Sequence, residues 1–200
     1  MSKYKAGDIV AIKGTEFVVL DIEKGAAKDG KDKLFVLLKE PVGTEFGATN
    51  DYGDSALRCA VGEWSKKYEV AAYDDLIYSR EVSLLTMDGR KNYGTKRFLA
   101  APLTFDEWRK YSLYIPDCEK GYWLATGDKA PDRLYAPYAL IVNSNGDWSR
   151  RYCSYSYAVR PAMWVSAELV AEPKDEKPDL SEYSTMALIQ ELAERAMRDE

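Results

Sequence analysis

The chain has 200 residues, a formal net charge of -5 and no histidine, and 46% of its residues are hydrophobic, which is enough for one full core. The absence of histidine excludes Ser-His-Asp and Cys-His catalysis and histidine-bound zinc, and the acidic balance argues against general nucleic-acid binding. No apolar run approaches the roughly 18 residues of a membrane helix and the first ten residues lack a signal-peptide core, so we expect no membrane segment or signal peptide, and a location in the cytoplasm or in a particle assembled there.

The N-terminal segment predicts a small antiparallel sheet. Two β-branched runs, residues 8–13 and 16–22, are separated by Gly14, which is typical of a tight hairpin. Residues 25–30 lack the G-K-[ST] of a phosphate-binding loop and are predicted to form a hairpin tip. The run LFVLLKE (34–40) is apolar on both faces, so we expect a central strand.

The middle of the chain predicts a helix and then a strand. Apolar residues recur at helical spacing from Leu57 to Tyr68, which predicts an amphipathic helix over residues 54–68 with Asp54 as its cap. Residues 81–87 (EVSLLTM) are typical of a strand that ends at the turn DGRKNYG.

The stretch LTFDEW (103–108) carries the clearest local signal in the chain. Thr104 and Glu107 form a T-x-x-E capping box, with apolar residues in the staple positions on either side. We therefore predict a helix that starts directly after Thr104, contributes Trp108 to the core and ends before Pro116.

Three later segments predict strands: YWLATG (122–127), YALIV (138–142) and AVRPAMWVSAELV (158–170). Pro161 within the last run indicates an edge position or a bulge. Residues 149–159 alternate, so Cys153, Tyr155 and Tyr157 are expected on one face of a strand and their neighbours on the other.

Residues 143–157 (NSNGDWSRRYCSYSY) are built almost wholly from Tyr, Ser, Asn, Arg, Gly, Asp and Trp. This is the composition of an antibody paratope, where rigid aromatic rings give contact area and small polar residues give adaptable hydrogen bonds. The other interpretation is a solvated hairpin whose tyrosines cover the edge of the core. The candidate ligand contacts are Asn143, Asn145, Asp147, Trp148, Arg150, Arg151, Tyr152, Ser154, Tyr155 and Tyr157.

The C-terminal residues predict a separate element. We place one domain at residues 1–170, a charged, proline-bearing linker at residues 171–179 and an amphipathic helix at residues 180–200, with Leu188 and Leu192 on its apolar stripe. That stripe either packs back on the domain or pairs with a partner, and a homo-oligomer held by residues 180–199 is one such pairing.

The remaining reactive side chains indicate structural roles. Cys59, Cys118 and Cys153 have no C-x-x-C spacing, which predicts three reduced and mostly buried thiols. Aspartates 51, 54, 74, 75 and 88 stand beside Gly, Asn and Ser, so we interpret them as turn and cap residues and not as an acid-base or metal site.

Several landmarks occur in a familiar order: NDYGDSALRCAV, LTFDEWRKYSLYIPD, GYWLATG and VRPAMWV. From about Gly7 to Val170 the chain resembles an uncharacterised family with a C-type-lectin-like fold from gut Firmicutes and their phages. It is more distantly similar to formylglycine-generating-enzyme-like domains and to retroelement-diversified phage variable proteins.

The resemblance implies an α+β fold: a C-type-lectin-like mixed domain with antiparallel sheets, two flanking helices and a last strand that closes the core. Diversified relatives place their changing ligand contacts just before that strand, where residues 143–157 stand here. The implied function is a non-enzymatic recognition module, phage or prophage encoded, that binds a protein or glycan in the cell or in the phage particle. The alternatives are a formylglycine-generating-enzyme-like enzyme and a structural virion protein.

Departures from these relatives limit what the resemblance implies. The calcium-binding tripeptides of lectins are replaced by Ala130-Pro131-Asp132 and Gly146-Asp147-Trp148, which supply fewer than the about 6 to 8 oxygen ligands that calcium needs. The late cysteine pair of the formylglycine enzymes is reduced to Cys153 alone. We therefore expect no metal, no cofactor and no catalytic residues.

Overall fold

The computed structural model describes residues 2–130 and 137–171. The predicted helix at residues 180–200, the linker after residue 171 and residues 131 and 132 of the lectin comparison lie outside the described residues. Within the described part the fold is mixed α+β, with most strand pairs antiparallel, as predicted.

The described elements are three runs of strands separated by short helices. The strands are β1 (Ile9–Ile12), β2 (Thr15–Glu23), β3 (Lys33–Leu38), β4 (Val42–Glu45), β5 (Ile77–Tyr78), β6 (Arg80–Ser83), β7 (Thr95–Phe98), β8 (Ala101–Pro102), β9 (Tyr122–Gly127), β10 (Tyr138–Val142), β11 (Trp148–Tyr152), β12 (Ser156–Val159), β13 (Pro161–Ser166) and β14 (Val170–Ala171). The helices are α1 (Ala56–Ser65), α2 (Glu69–Tyr73) and α3 (Phe105–Tyr111).

The first sheet has the order β14-β1-β2-β3-β13-β5, and β8 also pairs with β13. The predicted hairpin is confirmed: Lys13 and Gly14 both have positive φ (49° and 75°) and join β1 to β2, as a two-residue hairpin turn requires. The central place of β3 is also confirmed, since it lies between β2 and β13. The sheet is larger than predicted because the C-terminal strands β13 and β14 complete it.

The second sheet has the order β11-β10-β9-β12-β4, in which only β12 and β9 run parallel. The prediction of one strand over residues 158–170 is wrong. Arg160 ends β12, because its buried guanidinium turns inward to donate from Nε to the Leu38 carbonyl and from Nη1 to the Pro116 carbonyl. Pro161 then starts β13, an interior strand, where a missing N–H is tolerated at the first position.

The predicted alternation of residues 149–159 is also wrong. β11 ends at Tyr152, a turn closed by the Tyr155 N–H on the Tyr152 carbonyl follows, and β12 starts at Ser156. Cys153 is fully buried whereas Tyr155 is 51% exposed, so these two residues do not share a face.

The helices follow local sequence signals closely. α3 starts at Phe105, and the Thr104–Glu107 capping box is present, so this prediction is confirmed. The helix ends at Tyr111 and a 3₁₀ turn covers Ser112–Tyr114, before Pro116. In α1 the capping residue is Ser55, whose side chain accepts from the Arg58 N–H, and not Asp54, which lies in the preceding 3₁₀ turn.

The strand predicted at residues 81–87 is shorter in the structure. β6 pairs with β7 only as far as Ser83. Beyond it the Thr86 N–H bonds to the Arg90 carbonyl, which closes a turn, and the Met87 N–H bonds to the Gly127 carbonyl. This turn therefore lies beside the end of β9.

The core consists of two hydrophobic clusters to which both sheets contribute. In β2, Phe17 and Val19 enter one cluster and Val18 and Leu20 the other, as the alternation of a strand buried on both faces requires. Successive residues of β9 and β10 also alternate between the two clusters. No helix in residues 2–130 and 137–171 is long and apolar enough to cross a membrane.

Candidate functional site

Exposed aromatic rings gather on the hairpin β10–β11 and the turn after it. The Tyr138 and Tyr152 rings pair across the strands with centroids 4.2 Å apart, and the Tyr155 ring lies 5.6 Å from that of Tyr152. Trp148, at the other end of β11, is 45% exposed. We call Tyr138, Trp148, Arg150, Tyr152 and Tyr155 the tyrosine face.

Strand geometry explains why these residues lie together. β11 pairs with β10 along one edge, with Tyr152 opposite Tyr138 and Trp148 opposite Val142. Alternate side chains of a strand point to opposite faces, so Trp148, Arg150 and Tyr152 are exposed while Ser149 and Arg151 are half-buried. The tyrosine face is therefore one side of the hairpin.

β11 is also the last strand of its sheet among the described residues. The Arg150 carbonyl accepts from Nη1 of Arg151 at 2.9 Å, and the Tyr152 carbonyl accepts from the Tyr155 N–H. Side-chain and turn contacts thus satisfy two main-chain acceptors of this edge strand.

An ion pair anchors the centre of the tyrosine face. Nη1 of Arg150 donates to Oδ2 of the buried Asp128 at 2.8 Å, and the guanidinium carbon lies 5.5 Å from the centroid of the Tyr138 ring. The Asp128 carboxylate is only 12% exposed whereas the Arg150 side chain is 55% exposed, so this pair restrains Arg150 and leaves part of its guanidinium in water. Sequence reasoning did not identify Asp128 and Tyr138 as site residues, because both flank a segment rich in turn residues.

A buried amide supports the same surface from below. Nδ2 of Asn50 donates to the carbonyls of Lys129 and Tyr138, at 2.8 and 3.0 Å, and its Oδ1 accepts from the Tyr93 hydroxyl at 2.6 Å. Burial, followed by the charge of Asp51, raises the pKa of Tyr93 to about 12, so this hydroxyl stays a donor at neutral pH. Asn50 is the first residue of the NDYGDS stretch. The family resemblance of that stretch was the only feature of the sequence that pointed to Asn50.

A groove adjoins the tyrosine face. It has a volume of about 380 Å³ and lies between the Thr86–Gly89 turn and the start of α3, with Thr126 in its wall. Its lining residues are Glu81, Ser83, Leu85, Thr86, Met87, Gly89, Thr104, Phe105, Asp106, Glu107, Arg109 and Thr126. We call it the α3 groove.

Two contacts join the groove to the tyrosine face. The Phe105 ring, which lines the groove, packs edge-on against the Trp148 ring with centroids 5.1 Å apart. The Asp88 N–H, in the turn beside the groove, donates to the carbonyl of Asp128. The α3 groove therefore lies next to the tyrosine face.

The structure separates the other predicted contact residues from the tyrosine face. Arg151 donates from Nε to the Tyr157 hydroxyl, and the Tyr157 ring packs against the buried Trp123 ring at 5.2 Å, so Tyr157 covers the core edge. Asn145 and Asp147 hydrogen-bond to each other at the hairpin tip. Asn143 is half-buried near that tip, and Ser154 is exposed in the turn before Tyr155.

The cysteines and Asp51 occupy separate environments. Burial raises the pKa of Cys153 to about 12, so its thiol is protonated at neutral pH. Cys118 is half-buried and Cys59 exposed, so the prediction of mostly buried thiols is wrong for Cys59. Asp51 caps a 3₁₀ turn by accepting from the Gly53 N–H, as predicted. Residues 2–130 and 137–171 hold no group of three or more His, Cys, Asp or Glu placed to bind a metal.

Comparison with known proteins adds no function: no family model, no curated protein and no solved structure matches this chain.

Proposed function

We propose that this protein is a non-enzymatic recognition module that binds a protein or glycan ligand through the tyrosine face. The observation that carries the proposal is the set of exposed rings, Trp148 and Tyr152 on the hairpin β10–β11 and Tyr155 in the turn after it. Asn50 and Asp128 support this hairpin through hydrogen bonds to Tyr138 and Arg150. Aromatic and arginine side chains dominate the energy of binding surfaces, and a pre-organised surface loses less entropy on binding.

The proposal includes a C-type-lectin-like body and a phage or prophage origin, which the resemblance implies. The closing of the first sheet by the late strand β13 supports such a body, since the hairpin β10–β11 then precedes the closing strand in the chain. A homo-oligomer through residues 180–199 would multiply the number of faces and so raise avidity.

The test is quantitative capture of ligands from a bacterial lysate and on a glycan array by the full chain and by Tyr152→Ala/Tyr155→Ala. We expect at least about tenfold weaker capture by the double variant, because hot-spot residues contribute about 2 kcal/mol or more each. The matched control is Tyr73→Ala, which removes a ring that is 87% exposed on α2. Equal capture by the double variant and the control would contradict the proposed site.

A further inference from the structure

A small apolar patch lies at one edge of the first sheet. It consists of Ile9 on β1 and of Leu113 and Tyr114 in the 3₁₀ turn after α3, which are 45%, 94% and 44% exposed. We call these three residues the edge patch. We infer that the apolar stripe of residues 180–199 of the same chain docks on the edge patch and covers it.

The edge patch adjoins the layer that α3 forms over the first sheet. Ile9 pairs with Val18 across β1 and β2, and directly opposite residues of a sheet point to the same face. Val18 belongs to the core cluster that contains Tyr111 of α3, so Ile9 is on the face that α3 covers. A Cβ at Gly7 would lie 3.9 Å from the Tyr114 ring, which places the 3₁₀ turn beside the start of β1. The layer thus covers Val18 but leaves Ile9 in contact with water.

The direction of the last described strand leads the chain to this patch. β14 is antiparallel to β1, with Val170 opposite Ile12 and Ala171 opposite Ala11. From Val170 to Ala171 the chain therefore moves along β1 towards Ile9. Neighbouring strands lie about 4.8 Å apart and each residue rises about 3.4 Å, so the backbone of Ala171 lies roughly 8 Å from that of Ile9. The later residues therefore start beside the edge patch.

The later residues have the length and the side chains to cover the patch. Residues 172–179 reach up to about 26 Å when extended, and a helix over residues 180–199 is about 30 Å long. Leu188, Ile189 and Leu192 lie on one side of that predicted helix. An isolated helix of this length is marginal in water and gains its stability from burial of such a stripe. The edge patch offers apolar side chains for that burial next to Ala171.

The short connection favours the segment of the same chain over that of a second copy. A flexibly tethered segment acts at an effective concentration of about millimolar. A second copy at a concentration of about micromolar competes poorly against it, unless two such helices pair much more tightly than one helix docks. Pairing with a second copy is therefore the competing arrangement.

Hydrogen–deuterium exchange of the full chain, read by mass spectrometry, tests the docking. The patch variants are Leu113→Asp, and Ile9→Thr, which keeps a β-branched residue in the strand. The stripe variant is Leu188→Asp/Leu192→Asp. The matched control is Val70→Asp, which places the same charge at another exposed apolar side chain, 67% exposed on α2. Light scattering on the same samples counts the subunits per particle.

We expect slowed exchange over residues 180–199 in a particle of one subunit. Leu113→Asp should raise the exchange rate of that segment at least about tenfold, because a charge within a docked apolar contact opposes docking. Ile9→Thr should raise the rate by a smaller factor, and Val70→Asp should leave it unchanged. The stripe variant should abolish the protection.

Exchange over residues 180–199 at the rate of an unfolded peptide would overturn the inference, and so would protection that both patch variants leave unchanged. Protection that depends on the patch in a particle of two subunits would assign the docked segment to a second copy and overturn docking within one chain. None of these substitutions lies in the tyrosine face, so ligand capture by that face is tested independently of the docking.

Discussion

Asn50 makes three side-chain hydrogen bonds beneath the tyrosine face. Its side-chain amide links the Lys129 and Tyr138 carbonyls to the Tyr93 hydroxyl. Gly127 packs against the Asn50 backbone so closely that a Cβ at residue 127 would lie 2.7 Å from the Asn50 carbonyl oxygen. The single residue thus fixes the position of the strand that carries Tyr138.

We predict that Asn50→Ala lowers the free energy of unfolding by about 2–3 kcal/mol, because it leaves buried groups without partners. Tyr93→Phe, which removes one of the three bonds, should cost about 1 kcal/mol. Urea denaturation measures both, with Asn92→Ala, an exposed amide, as the control. A stability of Asn50→Ala equal to that of Asn92→Ala would show that the amide bonds are unimportant.

At the level of elements, the start of α3 is tied to a buried cation. Glu107 accepts from the Thr104 N–H through Oε2 and pairs with Arg80 through Oε1. The Arg80 side chain is only 4% exposed, and its Nη2 donates to the carbonyls of Ala101 and Pro102. One carboxylate therefore caps the helix and neutralises Arg80.

We predict that Glu107→Gln destabilises the fold by about 2–4 kcal/mol, because it leaves a buried cation without its counter-charge. Thr104→Ala removes only the cap and should cost about 1 kcal/mol. Asp106→Asn breaks an exposed pair and should cost less than about 0.5 kcal/mol. Chemical denaturation compares the three, and equal losses for Glu107→Gln and Thr104→Ala would mean that Arg80 does not depend on the carboxylate.

Elements that depend on short-range signals could be predicted from the sequence, and those that depend on distant contacts could not. The capping box of α3 and the turn at Gly14 involve residues within a few positions of each other. The break between β12 and β13 depends on Arg160, whose partner Leu38 is 122 residues away.

The same distinction between short-range and distant contacts applies to the candidate site. Exposure of Trp148, Tyr152 and Tyr155 could be predicted from composition. The turn after Tyr152 takes Tyr155 away from the face of the buried Cys153. Tyr157, predicted as a ligand contact, packs against the Trp123 ring at the edge of the core. Asn50 reaches the site across 88 residues to Tyr138, and no pattern within a short window contains that contact.

On the scale of the whole molecule, β13 joins early and late segments of the described residues. It pairs with β3, β5 and β8, and its Met163 and Val165 enter the first core cluster. After β13 the chain forms β14, which pairs antiparallel with β1. The first sheet is complete only when residues 161–171 are present.

We predict that a chain ending at residue 171 unfolds cooperatively, with a melting temperature close to that of the full chain, whereas a chain ending at residue 159 shows no cooperative transition. Circular dichroism on heating measures the transition of each chain. Loss of the transition in the 171-residue chain would contradict the domain boundary.

Light scattering on the same samples tests the predicted oligomer. More subunits per particle for the full chain than for residues 1–171 would support pairing through residues 180–199. Equal subunit numbers would favour a C-terminal segment that packs on its own domain or on another partner.

The two β11 carbonyls that already accept hydrogen bonds affect how this edge strand can pair with another molecule. Unprotected edge strands recruit further strands and lead to aggregation, and proteins reduce this hazard by blocking the edge. Here the Arg151 guanidinium and the Tyr155 amide engage acceptors that an incoming strand would need. These two contacts therefore leave fewer free acceptors on the outer side of β11 for a strand of another molecule to pair with.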